Sequence, residues 1–61
     1  MMNDVIRYRN KRNGDVVYSN RFWEEKTING KQFIDAVRQD PSVFRSQRHF
    51  YMLKEALEEL K

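Results

Sequence analysis

The chain has no cysteine, one proline, two glycines and one histidine among its 61 residues. Without cysteine there is neither a disulfide framework nor a thiolate metal site, and the lack fits a reducing cytosol. His49 alone cannot anchor a multi-histidine centre, so no metal or other cofactor is expected. No apolar run approaches the roughly 20 residues that span a bilayer. The start, MMNDVIRYRNKRNG, lacks the long apolar stretch of a secretory signal. The expectation is one complete cytoplasmic domain over residues 1–61, with no membrane partner.

Catalytic constellations are equally scarce. There is no Gly-rich phosphate loop, no Ser-His-Asp order of usable spacing and no metal-ligand cluster. Glu24 and Glu25 are adjacent, so on a strand they point to opposite faces and cannot act as a dyad. Glu55, Glu58 and Glu59 fall at i, i+3 and i+4 of a candidate terminal helix, where a solvated face is the ordinary explanation. His49 has the chemistry of a general base, but its neighbours Arg48 and Phe50 offer it no partner. The protein is not expected to be an enzyme.

What the chain does have is aromatics, at 13%, and charge, at 34%, with a net +3 and a pI near 9.5. The aromatics argue for a folded domain, although a chain this short buries only about 60% of the surface its unfolded form exposes. Positive charge gathers early. Residues 1–23 hold Arg7, Arg9, Lys11, Arg12 and Arg21 against Asp4 and Asp15, whereas residues 24–40 carry one more acid than base. Such asymmetry speaks to partners rather than to fold.

Ile6 and Tyr8 alternate with Arg7 and Arg9, the period of two of a half-buried strand. Asn13-Gly14 then precedes DVVYSNRFWEEKTI, and Asn-Gly between β-prone runs is a strong hairpin signal. A four-residue loop from Lys11 to Gly14 would set Tyr8 opposite Val17 and Ile6 opposite Ser19. Arg7 and Arg9 would then share the open face with Tyr18 and Val16. A second Asn-Gly, at 29–30, would pair Ile28 with Lys31, Lys26 with Phe33, Trp23 with Ala36 and Phe22 with Val37. That register also sets Glu24 against Asp35, which is unfavourable. The rival is a helix from Lys31 to Gln39, stopped by Asp40-Pro41. Turn chemistry favours the strand and propensity the helix, and the strand is taken first.

In the last third, HFYML reads either as a short core strand or as part of a long helix capped at Ser42. Lys54 to Lys61 are nearly all strong helix formers, so both alternatives end in a helix. The expected class is α+β: a small, twisted antiparallel β-meander of SH3-like type with a C-terminal helix. The alternative is a β-hairpin or three-stranded sheet packed with two helices. Either draws its core from Ile6, Tyr8, Val17, Phe22, Trp23, Phe33, Ile34, Val37, Phe50, Leu53 and Leu57.

The runs NRFWEEKTINGKQFIDAV and RHFYMLKEALEEL, covering residues 20–60, resemble small tailed-bacteriophage proteins with an SH3-like strand pattern. The resemblance is one of fold type and carries no functional motif. It implies a phage protein that engages host machinery, a counter-defence factor acting in the host cytoplasm.

Two binding functions follow from the residues. Arginine and lysine neutralise phosphates, and aromatic faces stack bases in single-stranded binders. Arg7, Arg9, Lys11, Arg12 and Arg21 with Tyr18, extended by Arg45 and Arg48, are the candidate site for RNA or other single-stranded nucleic acid. The plainer explanation is that small sheets carry cations on their edges to prevent edge-to-edge pairing. Alternatively, Trp23 and Tyr51 are the interface of an inhibitor that binds a host enzyme or toxin directly, since Trp, Tyr and Arg dominate hot spots. A plain core anchor is the competing role for Trp23. A core this thin also raises the expectation of a homodimer.

Overall fold

The computed structural model describes residues 4–61. Six strands follow one another: β1 Val5–Asn10, β2 Val16–Asn20, β3 Lys26–Ile28, β4 Lys31–Ala36, β5 Phe50–Leu53 and β6 Leu57–Leu60. They form two antiparallel three-stranded sheets, ordered β2-β1-β6 and β3-β4-β5. Among the described residues the only helical piece is a 3-10 turn, Lys54–Ala56. None of these elements is long and apolar enough to be a membrane-crossing helix.

Both Asn-Gly turns form, by different means. At Asn29-Gly30 both residues have positive φ, 52° and 78°, as the two-residue hairpin turn requires. At the first turn only Gly14 does, at 80°. Gly14 N–H donates to Asn10 O at 2.8 Å, and the Asn13 side chain accepts the Asp15 N–H at 2.9 Å. The expected registers hold here: Tyr8 faces Val17, Ile6 faces Ser19, Ile28 faces Lys31 and Lys26 faces Phe33.

The second hairpin stops early. β3 ends at Lys26, so the expected pairs Trp23–Ala36 and Phe22–Val37 do not form. The edge of β4 that β3 leaves is taken over by β2. Tyr18 and Val37 exchange both backbone hydrogen bonds, at 2.9 and 2.8 Å, and the Ser19 hydroxyl donates to Asp35 O at 2.6 Å. The other edge of β4 is held by β5 over Phe33–Ala36. This hand-over joins the two sheets and keeps Glu24 away from Asp35.

The α+β expectation is overturned, in both its forms: the fold is all-β. Residues 31–36 and 50–53 are strands, so the helices over Lys31–Gln39 and from Ser42 onward are absent. The C-terminal helix is absent too. Eight residues make a marginal helix, because its nucleus is costly and few bonds repay it. Pairing with β1 gives Leu57–Leu60 a full ladder and buries Leu57. The 3-10 turn carries the chain from β5 in one sheet to β6 in the other, and is tied to residues of both hairpins and the segment between them. Lys11 N–H donates to Ala56 O at 3.1 Å, Lys31 pairs with Glu55 at 3.0 Å and Lys54 with Glu25 at 3.1 Å. The Glu25 hydrogen bond raises the Lys54 pKa.

The core lies between the sheets. Tyr8, Val17, Ile34, Ala36 and Leu57 form it, with Ile6, Phe50 and Met52 packed against it. Val37, at the bridge, is also buried. Burying these side chains supplies about 1.5–3 kcal/mol for each large one. Four expected core residues prove otherwise placed, among them Trp23, which is only half-buried and outside the core cluster. Phe22 is 72% exposed, and the β4–β5 register puts Phe33 and Leu53 together on the outer side of their sheet.

Candidate nucleic-acid interface

Alternation along β1 fixes which cations point outward. Tyr8 is buried, so Arg7 and Arg9 stand on the outer face of the first sheet. There Arg7 lies between Tyr18 and Leu60, and Arg9 between Val16 and Glu58. Arg7, Arg9 and Tyr18 are thus brought together as the first-hairpin register implies. β6 adds what sequence reasoning missed: the Arg9 guanidinium donates to Glu58 Oε1 at 2.7 Å. That bond holds the Glu58 carboxyl below the usual range, and it neutralises half of the outward ridge. A helix at 54–61 would have kept Glu58 away from Arg9.

The other candidates scatter. Lys11 reaches back to Glu55 O at 3.2 Å, while Arg12 at the hairpin tip makes no ion pair among the described residues. Arg21 lies 3.8 Å from Asp4 and 5.5 Å above the exposed Phe22 ring. Arg45 and Arg48 belong to the long connection between Val37 and β5. Arg48 lines a cleft with Arg38, Gln47 and Phe50. Arg38 was not among the expected site residues. Its guanidinium lies 5.4 Å over the Phe50 ring, a cation–π contact.

The ion-pair pattern sharpens the charge asymmetry. Pairs at the surface engage Asp4, Glu25, Glu55 and Glu58 with Arg21, Lys54, Lys31 and Arg9, and Asp35 with His49. Among the described residues this leaves eight lysines and arginines without an ion pair against four carboxylates. Five of those eight are arginines: Arg7, Arg12, Arg38, Arg45 and Arg48. Phe22 and Phe44, 72% and 55% exposed, supply aromatic surface on the same molecule.

Trp23 and Tyr51 lie apart from Arg7 and Arg9, towards the outer side of the second sheet. Tyr51 faces outward beside Asp35, with the Lys26 ammonium 4.5 Å from its ring centroid. Trp23 is half-buried against His49, ring centroids 4.6 Å apart. His49 Nδ1 lies 2.7 Å from Asp35 Oδ1, so the histidine has the partner that sequence order concealed. The strand register places Asp35 there, and only the β4–β5 pairing could have shown it. Comparison with protein-family models, curated proteins and solved structures gives no match to this chain.

Proposed function

We propose that the protein is a non-catalytic binding module for RNA or other single-stranded nucleic acid. The observation that carries this is that, among the described residues, five exposed arginines make no ion pair while five of the nine carboxylates are engaged by other partners. A guanidinium fork suits phosphate oxygens, and an unpaired one is gripped without first breaking a salt bridge. Exposed Phe22 and Phe44 and the outward Tyr18 offer faces on which unpaired bases stack. Stacking of this kind needs unpaired bases, so the exposed rings favour single strands over duplex.

Anisotropy titration of labelled oligouridylate and oligodeoxythymidylate at several salt concentrations tests this. The logarithm of affinity should fall with that of salt by about 0.7 per phosphate contacted. Arg7→Ala with Arg12→Ala should weaken binding. Absence of binding at low salt would sink the proposal.

A second function is favoured by the outer face of the second sheet, where Tyr51 and Ile28 are each nearly half exposed. That surface, with Lys26 and Trp23, has the composition of an inhibitor's contact patch against a host enzyme or toxin. A partner retained after nuclease treatment and lost with Tyr51→Ala would favour this function over the first.

A further inference from the structure

We propose that the cleft bounded by Arg38, Arg48 and Phe50 is a phosphodiester site, and that Gln47 positions it; this rests on the nucleic-acid binding proposed above. The connection from residue 38 to residue 49 is the longest in the molecule, yet its ends and its middle are fixed. At one end Val37 is locked to Tyr18 by two backbone hydrogen bonds. At the other, His49 meets Asp35 and Phe50 enters β5.

Between them Gln47 acts as a rung. Its Nε2 donates to Gln39 O at 2.8 Å and to Phe44 O at 2.7 Å, and its Oε1 accepts the Gln39 N–H at 3.0 Å. A turn at Asp40 closes the tip. Val43 and Phe44 N–H both donate to Asp40 O at 3.0 Å, and Ser42 bonds the Asp40 carboxylate through its N–H and its hydroxyl.

This clamp explains why two distant arginines share one cleft. Arg38 immediately precedes Gln39 and Arg48 immediately follows Gln47, so the Gln39–Gln47 bonds draw them together. Among the described residues neither makes an ion pair. The nearest carboxylates along the chain are already engaged, Asp40 with Ser42 and Asp35 with His49. The Phe50 ring limits the rotamers open to Arg38, so gripping an anion costs it less entropy. Two guanidinium groups lining one cleft repel each other, and a phosphate between them relieves that. The cleft, of about 480 Å³, has room for a phosphate and its sugar.

The test uses the full chain and labelled oligouridylate, comparing wild type, Arg38→Ala/Arg48→Ala, Gln47→Ala and Arg7→Ala/Arg12→Ala. Loss of two charge-assisted contacts should weaken binding by about tenfold or more. The salt dependence of the arginine pair variant should also be shallower, by about 0.7 per lost contact. Its melting temperature should move little, because both arginines are exposed and only the Arg38–Phe50 ring contact is lost. Added inorganic phosphate should shift the side-chain Nε resonances of Arg38 and Arg48, and Gln47→Ala should abolish the Arg48 shift. A merely structural glutamine would leave that shift intact, overturning its positioning role. If Arg38→Ala/Arg48→Ala binds like wild type while Arg7→Ala/Arg12→Ala does not, the cleft is refuted and nucleic-acid binding stands. If wild type fails to bind at low salt, the functional proposal falls and the cleft with it.

Discussion

Ser19→Ala should destabilise this protein more than its small change in volume suggests. Ser19 is 5% exposed, and its hydroxyl donates to Asp35 O at 2.6 Å across the join between the sheets. Two opposing effects decide the outcome. Alanine removes a polar group from a dry site, which by itself is favourable. It also strips the Asp35 carbonyl of this donor, just where β3 has ended and β2 has taken over the edge. A buried hydrogen bond contributes about 0.5–1.5 kcal/mol net, and an acceptor left dry costs about 1–3 kcal/mol. The second effect wins, for a loss of about 1–3 kcal/mol. A domain of this size has roughly 3–9 kcal/mol in total. At about 4–8 °C per kcal/mol the melting temperature should fall by roughly 5–20 °C. Urea unfolding followed by Trp23 fluorescence measures it, with the exposed Ser46→Ala as control. If Ser19→Ala stays within about 0.5 kcal/mol of wild type, the hydroxyl tie is idle and apolar packing alone joins the sheets.

Burial of the Tyr8 phenol, with Glu59 beside it, raises its pKa above the ordinary value. The folded state then holds this proton more tightly than the unfolded chain. Its contribution is present below the unfolded pKa of about 10 and lost as pH rises through the folded one. Tyr8→Phe should flatten that alkaline decline in urea midpoints. Arg9's hydrogen bond lowers the Glu58 pKa, so that stability is present above the unfolded carboxyl value and lost as pH falls through the folded one. Glu58→Gln should remove this acid dependence and, by freeing Arg9, tighten binding of oligouridylate in the same anisotropy assay. Gly30→Ala should cost about 1–2 kcal/mol in thermal unfolding, because the added carbon meets open space and the penalty comes from φ +78° alone.

Local chemistry was legible in the sequence, and competition between distant segments was not. Asn-Gly twice set a register correctly, since a two- or four-residue loop leaves the flanking pairs no freedom. Continuing the second hairpin to Trp23 and Phe22 failed because β2 displaces β3 along β4, a contest between segments far apart in the chain. The same cause defeated the terminal helix. The helix propensity of KEALEELK is a local quantity, whereas the open edge of β1 that recruits Leu57–Leu60 lies some fifty residues away. At the candidate site, the faces of Arg7, Arg9 and Tyr18 followed from alternation. The neutralising Glu58, the Gln47 clamp and the Asp35–His49 pair did not, each needing a fold that the spacing does not encode.

The pairing of β1 with β6 has a consequence for the order of folding. Arg9 meets Glu58 across 49 positions, so the central strand of the first sheet is completed by the sixth of the six described strands. Closing so long a loop is slow relative to forming either hairpin. Until then β1 presents an open ladder edge, the kind that recruits a second chain. Arg7 and Arg9 sit on that strand throughout the delay, two like charges that repel an identical neighbour before Glu58 arrives to meet one of them.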